Sequence, residues 1–431
     1  MTPVELLQQL IRFDTTNPPG NEAGCIEYLR GLLEEAGCEV ELYAKDPARP
    51  NLVSRLRGSG NRAPLLLQGH VDVVTTSGQD WTRPPFGGEL VDGYVWGRGA
   101  LDMKGGVAMM VSAFLRAAQE QTQLPGDVIL TALADEENGG DFGAKFLVED
   151  HPHLFEGVQW SLGEFGGFTL ELGGRRLYPI QVAEKQICWL KARVPGRAGH
   201  GAMVHRGGTM SRLGKFLRDL DRKRTPVHVT PPARAMIEGI ADAVARPQRD
   251  LLLALLKPRL TDRVLPLLGE RSKTMEPLLR NTVNATIVRA GEKVNVVPAF
   301  VDVELDARAL PGFGPDDVLA EVQAVVGDDV ELELVRYDPG PPEPRLDQFE
   351  ALAGIIRELE PGAVPVPLLQ AGVTDARFFA RLGIQNYGFL PLKLPGDFRF
   401  TTLIHAPDER VPAEAIEFGA EAVFRALTRL A

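Results

Sequence analysis

Strand-like and helical segments alternate at both ends of the chain, and this alternation limits the fold more than any other feature of the sequence. Short apolar runs bounded by turn residues are typical of strands, and longer runs with apolar residues every three or four positions are typical of helices. The pattern predicts an α/β domain. Before about residue 180, the predicted elements are strands at 51–56, 64–69 and 128–134 and helices at 106–118 and 143–148.

The same alternation returns after about residue 350. The predicted elements there are helices at 347–359 and 412–430 and strands at 364–369 and 385–389. We therefore expect one α/β domain whose chain is interrupted by an insertion. The length of 431 residues agrees with two domains, because a single hydrophobic core stops growing at roughly 250 to 300 residues.

The middle of the chain predicts a second domain with the βαββαβ order of a ferredoxin-like fold. Its predicted elements are strand 186–194, helix 209–220, strands 282–288 and 299–307, helix 315–326 and strand 330–337. Residues 227–280 have helical spacing interrupted by prolines, which predicts added helices on this domain. With 338–344 as the linker back, the predicted α/β domain is 1–180 plus 341–431, and the inserted domain is 181–340.

The composition argues against two classes of partner. The chain has 47 Lys and Arg against 58 Asp and Glu, so its formal charge of −11 repels the phosphate backbone of nucleic acids. No segment has the roughly 18 uncharged apolar residues that a membrane helix requires. We expect neither nucleic acid nor a membrane as a partner.

The beginning of the sequence and its cysteines bear on the compartment. The first twenty residues lack the basic start of a signal peptide. Cys25, Cys38 and Cys188 are an odd number and form no CxxC motif. We therefore expect a cytoplasmic protein without a thiolate metal site.

Imidazole and carboxylate side chains follow several of the predicted strands. In LLLQGHVDVV, His70 and Asp72 lie two residues apart at the end of a buried strand and share one face of it. His70 can bind a metal ion through one ring nitrogen while Asp72 orients the imidazole through a hydrogen bond to the other ring nitrogen. In isolation, the pair is more typical of a core hydrogen bond or of chance.

Two further segments carry carboxylates where a predicted strand or loop meets a helix. Asp102 precedes a helix that begins near Lys104, so it is either a helix N-cap or a carboxylate that gives one oxygen to each of two metals. Glu136 and Glu137 repel each other unless a cation or proton separates them. They form either an exposed acidic loop or a pair in which Glu137 binds metal and Glu136 is a general base.

Glu164 in SLGEFGGF and His405 in LIHAPDER complete the candidate set. Taken alone, the first is more typical of a loop charge and the second of a buried histidine with its hydrogen bonds satisfied. Only the whole set favours a metal site. These scattered imidazoles and carboxylates predict a site for two zinc ions and a hydrolase.

The segments resemble, in order and spacing, the M20 metallopeptidase family, the group of aminoacylase, carboxypeptidase G and succinyl-diaminopimelate desuccinylase. The resemblance covers nearly the whole chain, and among the family it is strongest with the larger-lid, carboxypeptidase S-like members. It implies a mixed-sheet catalytic domain of the zinc-exopeptidase type with an inserted ferredoxin-like α+β lid domain. The matching stretches are 14–22, 65–74, 81–106, 134–140, 162–165, 197–203, 284–299, 372–379 and 404–410.

The resemblance implies a specific set of metal ligands. One zinc ion falls to His70, Asp102 and Glu164, and the other to Asp102, Glu137 and His405. Asp102 and a water molecule would then bridge the two ions. Cobalt or manganese could replace zinc, because carboxylate-rich sites accept several divalent ions.

The resemblance also implies the remaining roles. The catalytic base falls on Glu136, and Asp72 orients the histidine ligand. In the lid, His200 matches the residue that stabilises the oxyanion, while Asn284 and Arg308 match positions that hold the amide and carboxylate of the substrate. The final substrate-binding position is Gly372, which with Thr374 and Asp375 shapes the wall of the site.

These expectations describe a two-domain di-zinc amidohydrolase that acts on N-acyl amino acids or small peptides with a free carboxylate. The resemblance also implies a homodimer formed through the lid. The insertion at 227–280 leaves both this dimer and the substrate specificity open. The expected hinges are 177–183 and 338–344. The alternatives are a non-catalytic metal-binding or peptide-binding protein with this fold and a nucleotide-binding α/β enzyme, although the glycine clusters match no phosphate-binding motif.

Overall fold

The computed structural model describes residues 1–341 and 343–430. Strands of two main sheets alternate with helices along it. The strands are β1 (Val40–Tyr43), β2 (Asn51–Leu56), β3 (Leu65–His70), β4 (Glu89–Val91), β5 (Tyr94–Trp96), β6 (Val128–Leu133), β7 (Trp160–Gly163), β8 (Leu170–Leu172), β9 (Arg175–Glu184), β10 (Gln186–Pro195), β11 (Gly199–His200), β12 (Thr282–Arg289), β13 (Val296–Val297), β14 (Phe300–Ala309), β15 (Glu331–Asp338), β16 (Val364–Gln370), β17 (Gln385–Gly388) and β18 (Arg410–Pro412).

The α-helices occupy most of the remaining length, and short 3-10 helices lie at Glu136–Asn138, Pro152–Phe155, Leu265–Arg271, Glu276–Leu278 and Ala380–Leu382. The α-helices are α1 (Pro3–Ile11), α2 (Ala23–Glu35), α3 (Lys104–Gln119), α4 (Ala144–Asp150), α5 (Thr209–Arg222), α6 (Pro231–Asp242), α7 (Gln248–Leu255), α8 (Pro258–Val264), α9 (Ser272–Met275), α10 (Pro315–Val326), α11 (Phe349–Leu359), α12 (Ala376–Phe379), α13 (Phe400–Leu403) and α14 (Ala413–Leu430). None of the helices in the described residues combines the length and apolar character needed to cross a bilayer.

The larger sheet contains strands from both ends of the chain, in the order β1-β2-β6-β3-β7-β17-β9-β16, with β8 paired to the start of β9. The central strands β6, β3, β7 and β17 are parallel to one another, and β9 and β16 form a second parallel pair. Strand β2 pairs antiparallel with both β1 and β6, and β17 pairs antiparallel with β9. The predicted α/β class with a mixed sheet is therefore confirmed.

Helices cover both faces of this sheet because its central strands are apolar on both sides. In β3, Leu65 and Leu67 join the main core with α3 and α14, whereas Leu66 joins a second cluster with α4 and α12. Strands buried on both faces appear in the sequence as continuous apolar runs. The carboxyl ends of the parallel strands are thereby fixed rigidly at one edge of the sheet.

The smaller sheet has the order β12-β14-β10-β15, with every pair antiparallel. Its elements follow the βαββαβ order, with α5 and α10 packed on one face over residues such as Leu190, Val303 and Leu305. The opposite face has no such cover among the described residues and exposes apolar side chains such as Trp189 and Val335. This sheet and its two helices are called the lid below.

The inserted helices α6 to α9 pack differently from our expectation of additions to the lid. The buried face of α6, including Met236 and Ile237, belongs to the core of the larger sheet, and α6 lies against β16 and β9. A Cβ atom at Gly239 would stand 3.4 Å from the Cβ atom of Val366 in β16. The insertion therefore leaves the lid, crosses to the α/β sheet and returns.

The passage between the two sheets is shorter than we expected. The predicted hinge at 177–183 and the predicted boundary after residue 180 both lie inside β9, so the change of sheet comes at Lys185. The Lys185 ammonium group donates hydrogen bonds to the Arg280 carbonyl (2.9 Å) and the Thr282 hydroxyl (2.8 Å). Of the predicted second hinge, 338–344, residue 342 is outside the described residues.

Candidate metal centre

Neighbouring strands of the larger sheet deliver the candidate ligands to one edge. His70 is the last residue of β3, Glu137 lies in the 3-10 helix that follows β6, and Glu164 follows β7. These three strands are adjacent and parallel, so their carboxyl ends lie together, where sites in open α/β sheets form. Asp102 comes from the loop before α3, and His405 comes from the loop before β18.

The two histidines face the two oxygens of one carboxylate. His70 Nε2 lies 3.3 Å from Asp102 Oδ1 and 3.6 Å from Glu164 Oε2. His405 Nε2 lies 3.3 Å from Asp102 Oδ2 and 3.2 Å from Glu137 Oε1. Asp102 is therefore placed between two groups, each of which has one imidazole and one further carboxylate.

These distances match the spacing of atoms around a bound metal ion. Zinc binds imidazole nitrogen and carboxylate oxygen at about 2.0 to 2.2 Å, so ligand atoms at a tetrahedral angle lie about 3.3 to 3.6 Å apart. The donor set of two imidazoles and three carboxylates also suits a divalent cation. Ligand atoms of His70, Asp102 and Glu137, and separately of His70, Glu136 and Glu164, lie within 4.8 Å of one another.

Asp72 organises both the histidine and the loop that carries the paired glutamates. It is fully buried, and its Oδ1 lies 3.4 Å from His70 Nδ1, which also contacts the Asp72 carbonyl at 3.0 Å. The same carboxylate accepts hydrogen bonds from the backbone N–H groups of Glu136 and Glu137, both at 3.1 Å. With Nδ1 engaged in this way, His70 presents Nε2 to the centre.

Asn17 supports the centre from a position that the sequence motifs did not single out. Its side-chain amide donates to Asp72 Oδ2 at 2.8 Å and to Asp135 Oδ1 at 3.0 Å, and it is 3 % exposed. Asp135 in turn pairs with the buried Arg49 at 2.9 Å. The feature of the sequence that could have identified Asn17 is the polar stretch DTTNPPGNE, in which Asn17 and Glu22 are buried in the structure.

Glu409 is a second supporting residue that the motifs did not reveal, and it fixes the loop that carries Asp102. Its carboxylate accepts backbone N–H groups of Gly99 (3.1 Å), Leu101 (2.7 Å) and Asp102 (3.2 Å), and it pairs with Arg98 at 2.6 Å. Both Glu409 and Arg98 are almost completely buried. Glu409 belongs to the matched IHAPDER stretch, four residues after His405.

Burial and crowding shift the charges of the candidate ligands. Burial, helped by the negative charge of Asp102, raises the pKa of Glu137 to about 7, although His405 opposes this. Burial also raises the pKa of Glu164 well above its usual value. Hydrogen bonds to Asp102 and Glu137 raise the pKa of His405 to about 10. Protons therefore compensate part of the charge that a cation would otherwise neutralise.

His70 and Asp102 depend on each other for their charge. Burial by itself lowers the pKa of His70, but its carboxylate neighbours outweigh burial and raise the pKa well above the usual value. Burial by itself raises the pKa of Asp102, but the hydrogen bonds from His405 and His70 outweigh it and lower the pKa. Because metal-bound imidazole is neutral, a cation at this site has to displace these protons.

The lid residues lie on the smaller sheet and are held by lid neighbours. Asn284 pairs with Asp306 and Arg308 pairs with Thr282 across β12 and β14, so both face away from α5 and α10. Arg308 donates two hydrogen bonds to Asp306, at 2.6 and 3.1 Å. The contacts described for Arg308 are therefore with the lid and not with the ligand cluster.

His200 lies in the short strand β11 and Gly372 in a loop, and neither is among the clustered ligands. His200 ends the short strand β11 and is exposed, and its carbonyl lies 3.0 Å from His205 Nε2. Gly372 follows β16, and a Cβ atom there would stand 3.1 Å from the side-chain nitrogen of Gln370. The structure brings together the side chains of His70, Asp102, Glu136, Glu137, Glu164 and His405. No hydrogen bond or ion pair among the described residues joins His200, Asn284, Arg308 or Gly372 to them.

Curated relatives share sequence over most of the chain. The model of peptidase family M20/M25/M40 matches residues 66–429. The chain is 28% identical over 367 residues to probable carboxypeptidase S-like 2 of Dictyostelium discoideum, covering 81% of this chain and 68% of the relative. It is 26% identical over 377 residues to human N-fatty-acyl-amino acid synthase/hydrolase PM20D1 (84% and 73%), and 27% identical over 448 residues to succinyl-diaminopimelate desuccinylase of Paracoccus denitrificans (99% and 98%).

Solved structures share the fold at lower identity. The M20 family metallo-carboxypeptidase of Sulfolobus solfataricus aligns over 99% of this chain and 98% of its own, with a TM-score of 0.69 and 18% identity. A dinuclear metal-binding M20 peptidase of Bacillus subtilis aligns over 99% and 96%, with a TM-score of 0.62 and 14% identity. The family match over most of the chain places this protein in peptidase family M20/M25/M40, as a metal-dependent hydrolase of amide or peptide bonds.

Proposed function

We propose that the protein is a co-catalytic di-zinc amidohydrolase that cleaves the amide of N-acyl amino acids or small peptides with a free carboxylate. The observation that supports it most is the position of Asp102, whose two oxygens each lie 3.3 Å from a different histidine. The names of two relatives, N-fatty-acyl-amino acid synthase/hydrolase and succinyl-diaminopimelate desuccinylase, support amides of this kind as substrates. Cobalt or manganese remains an alternative to zinc.

The proposed ligands divide into two sets that share Asp102. His70 and Glu164 complete one set, and Glu137 and His405 complete the other. Two divalent cations held there would supply Lewis-acid chemistry, which polarises a carbonyl and makes water acidic. Asp72 keeps His70 in the orientation and tautomer that binding requires.

Glu136 is the proposed general base. Its backbone N–H group is anchored on Asp72, and its side chain lies within 4.8 Å of the His70 and Glu164 ligand atoms. A carboxylate at this position can take a proton from the attacking water and deliver it to the leaving nitrogen. Burial raises the pKa of Glu136, which makes it a stronger base than a free glutamate.

The proposed substrate contacts come from the lid and from the site wall. His200 would stabilise the developing oxyanion, Asn284 the amide and Arg308 the free carboxylate, while Gly372 shapes the wall. Arg308 can bind a carboxylate through two parallel N–H bonds, the geometry in which it now holds Asp306. The movement that would bring these residues to the metals is part of the proposal.

Assembly and location complete the proposal. We place the protein in the cytoplasm as a possible homodimer through the lid, whose strand β12 lies at the edge of its sheet. Cys25, Cys38 and Cys188 are buried and form no disulfide, which agrees with a reducing compartment. The proposed domains are those expected from the sequence, 1–180 plus 341–431 and 181–340, with the first boundary moved to Lys185 between β9 and β10.

A hydrolysis screen tests the proposed function. The purified protein is incubated with N-acetyl, N-succinyl and long-chain N-acyl amino acids and with dipeptides, with and without added zinc, cobalt or manganese. We expect metal-dependent release of free amino acids, and Glu136→Ala to lower kcat by about 10²- to 10⁴-fold. The surface variant Glu120→Ala is the matched control.

Two results would contradict the proposal in different ways. If no amide is cut with any metal, the chain is better explained as a metal-binding or peptide-binding protein that retains the fold. If substrates are cut but Glu136→Ala keeps the full rate, the assignment of the base is wrong while the amidohydrolase assignment stands.

A further inference from the structure

A buried arginine that is not among the candidate ligands contacts the Glu136 carboxylate. Arg377 lies in α12, is 3 % exposed, and its Nη1 is 3.4 Å from Glu136 Oε1. Among the described residues, Arg377 is the side chain that donates a hydrogen bond to the Glu136 carboxylate. The sequence marked this stretch, GVTDARFF, only as part of the site wall.

Arg377 is itself fixed by three further contacts. Its Nη1 donates to the Thr374 carbonyl at 2.7 Å, and its Nε lies 3.8 Å from Asp338 Oδ2. Its guanidinium carbon stands 4.3 Å from the centre of the Phe378 ring. Asp338 is the last residue of β15, so the guanidinium group also touches the end of the lid. A planar group held in this way has little freedom to turn.

The charge around Arg377 explains why an arginine is present. Its positive charge interacts with the carboxylates of Glu136, Asp375, Glu184 and Asp338. Neither oxygen of the buried Asp375 side chain has a hydrogen-bond partner among the described residues. A buried carboxylate group without a nearby cation is unfavourable, and Arg377 supplies positive charge to all four of these acidic side chains.

A glutamate without such a contact would not stay where a general base is needed. Its side chain turns about several bonds, and the Glu136 oxygen lies close enough to His70 and Glu164 to join the metal ligands. As a ligand, it could no longer take a proton from water. The contact with the Arg377 guanidinium group opposes this movement.

We propose that Arg377 is a positioning residue that holds the Glu136 carboxylate beside the metal centre as a base and keeps it out of the ligand set. This inference rests on the proposed function, in which Glu136 is the general base. Arg377 does not touch substrate in this role and acts only through Glu136.

A double-mutant cycle tests the inference, because a residue that acts through Glu136 has no effect once Glu136 is changed. In Arg377→Ala we expect kcat to fall by about 10²-fold, the cost of misplacing a catalytic group by about 1 Å, with KM within threefold. In a Glu136→Gln background, the same substitution should change kcat by less than twofold.

A second readout does not depend on activity. Urea unfolding of the metal-free proteins gives the unfolding midpoint of each variant. We expect Arg377→Ala to lower the midpoint less in the Glu136→Gln background than in the wild-type background. If Arg377→Ala does not fold, Arg377→Lys replaces it in the same cycle. Lysine keeps the charge but loses the planar fork, and kcat should fall about tenfold.

Arg381→Ala is the matched control. Arg381 also contacts Asp338, at 3.3 Å, and stands over the Phe378 ring at 4.9 Å, but its other ion pair is with the surface residue Glu149. We expect its kcat to stay within twofold of the wild type. An equal loss in this variant would mean that the effect comes from the joint at Asp338 and would overturn the inference.

The remaining outcomes separate this inference from the proposed function. If Arg377→Ala keeps kcat within threefold, or loses the same factor with and without Glu136, the positioning role is wrong although the hydrolase stands. If the wild type cuts no amide, or if Glu136→Gln keeps the full rate, the role of Glu136 fails and this inference fails with it.

Discussion

Protons and metal ions compete for the same atoms at the candidate centre. Glu137 and His405 share a contact of 3.2 Å, and both favour their protonated forms when no cation is present. The pKa of Glu137 is raised to about 7 and that of His405 to about 10. The charge of each side chain is thus set by its neighbours more than by its own chemistry.

Metal binding should therefore depend on pH. At pH 7 the raised pKa of His405 keeps it protonated and the raised pKa of Glu137 favours its protonated form, and both have to lose their protons before they bind a cation. We expect at least one proton released per chain at pH 7, and weaker zinc binding at pH 6 than at pH 8. Calorimetric titration of the chelated protein, in two buffers of different ionisation heat, measures both.

A variant far from the centre is the control for that titration. His228, in the connection before α6, pairs with Glu321 of α10 at 2.6 Å, so His228→Gln should leave the proton release unchanged. Equal zinc affinity at pH 6 and pH 8 would contradict the charge states assigned to Glu137 and His405.

The sequence identified the side chains that meet at the centre more completely than the residues that support them. His70, Asp102 and Glu137 stand at strand ends or before a helix, positions that a pattern of apolar runs can locate. Asn17 and Glu409 act on partners 55 and about 310 residues away. No local pattern encodes such contacts, and buried polar residues resemble surface ones until the fold is known.

A buried ion pair helps to hold the loop before α3 in its conformation. Glu409 accepts three backbone N–H groups of that loop and neutralises Arg98. Because the loop presents Asp102, its conformation decides whether one carboxylate can serve both sets of ligands.

Glu409→Gln should therefore destabilise the fold and weaken metal binding together. The substitution leaves the buried charge of Arg98 without compensation, at a cost of about 3 kcal/mol. Urea unfolding of the chelated protein measures the loss, and competition with a zinc chelator measures the affinity. The surface substitution Glu414→Gln at the start of α14 is the control, and equal stability of the two variants would contradict the argument.

Element positions followed from the sequence where a strand or helix had a regular apolar pattern. Strand β3 was predicted at 64–69 and occurs at Leu65–His70, and helix α3 was predicted at 106–118 and occurs at Lys104–Gln119. Residues 177–183 were predicted as a hinge but lie inside strand β9. Its partner β16 lies almost 190 residues later, so local sequence could not reveal that pairing.

The two sheets are linked by more than the two expected connections. The chain passes between them at Lys185, again on either side of the inserted helices, and a last time after β15. Hydrogen bonds join three of these passages, since Thr225 donates to the Asn281 carbonyl at 2.5 Å and Lys185 to the Arg280 carbonyl. The periodicity of the insertion predicted helices but not the surface on which they pack.

A disulfide between α6 and β16 can show whether the insertion moves during catalysis. In Gly239→Cys/Val366→Cys the two Cβ positions are 3.4 Å apart, close to the distance that a disulfide spans. We expect the oxidised protein to keep kcat within about twofold, because α6 belongs to the core of the larger sheet. Hydrolysis assays before and after reduction measure the effect.

The single variant Gly239→Cys controls for the loss of glycine in the helix. The native cysteines are buried and should not compete for the new bond. If oxidation stops hydrolysis and reduction restores it, α6 leaves β16 during the cycle and the insertion moves with the lid.

The inserted helices have a mechanical consequence. If the lid were joined to the larger sheet by two connections only, it could rotate about the line between them. The two further connections, on either side of the inserted helices, limit that rotation to the distance over which their peptides can extend. These two connections are short: residues 223–230 lie before α6 and residues 279–281 lie before β12. The extensibility of these two peptides would then limit how far the lid can move from the candidate metal centre. It would thereby also limit the size of the molecules that can enter or leave.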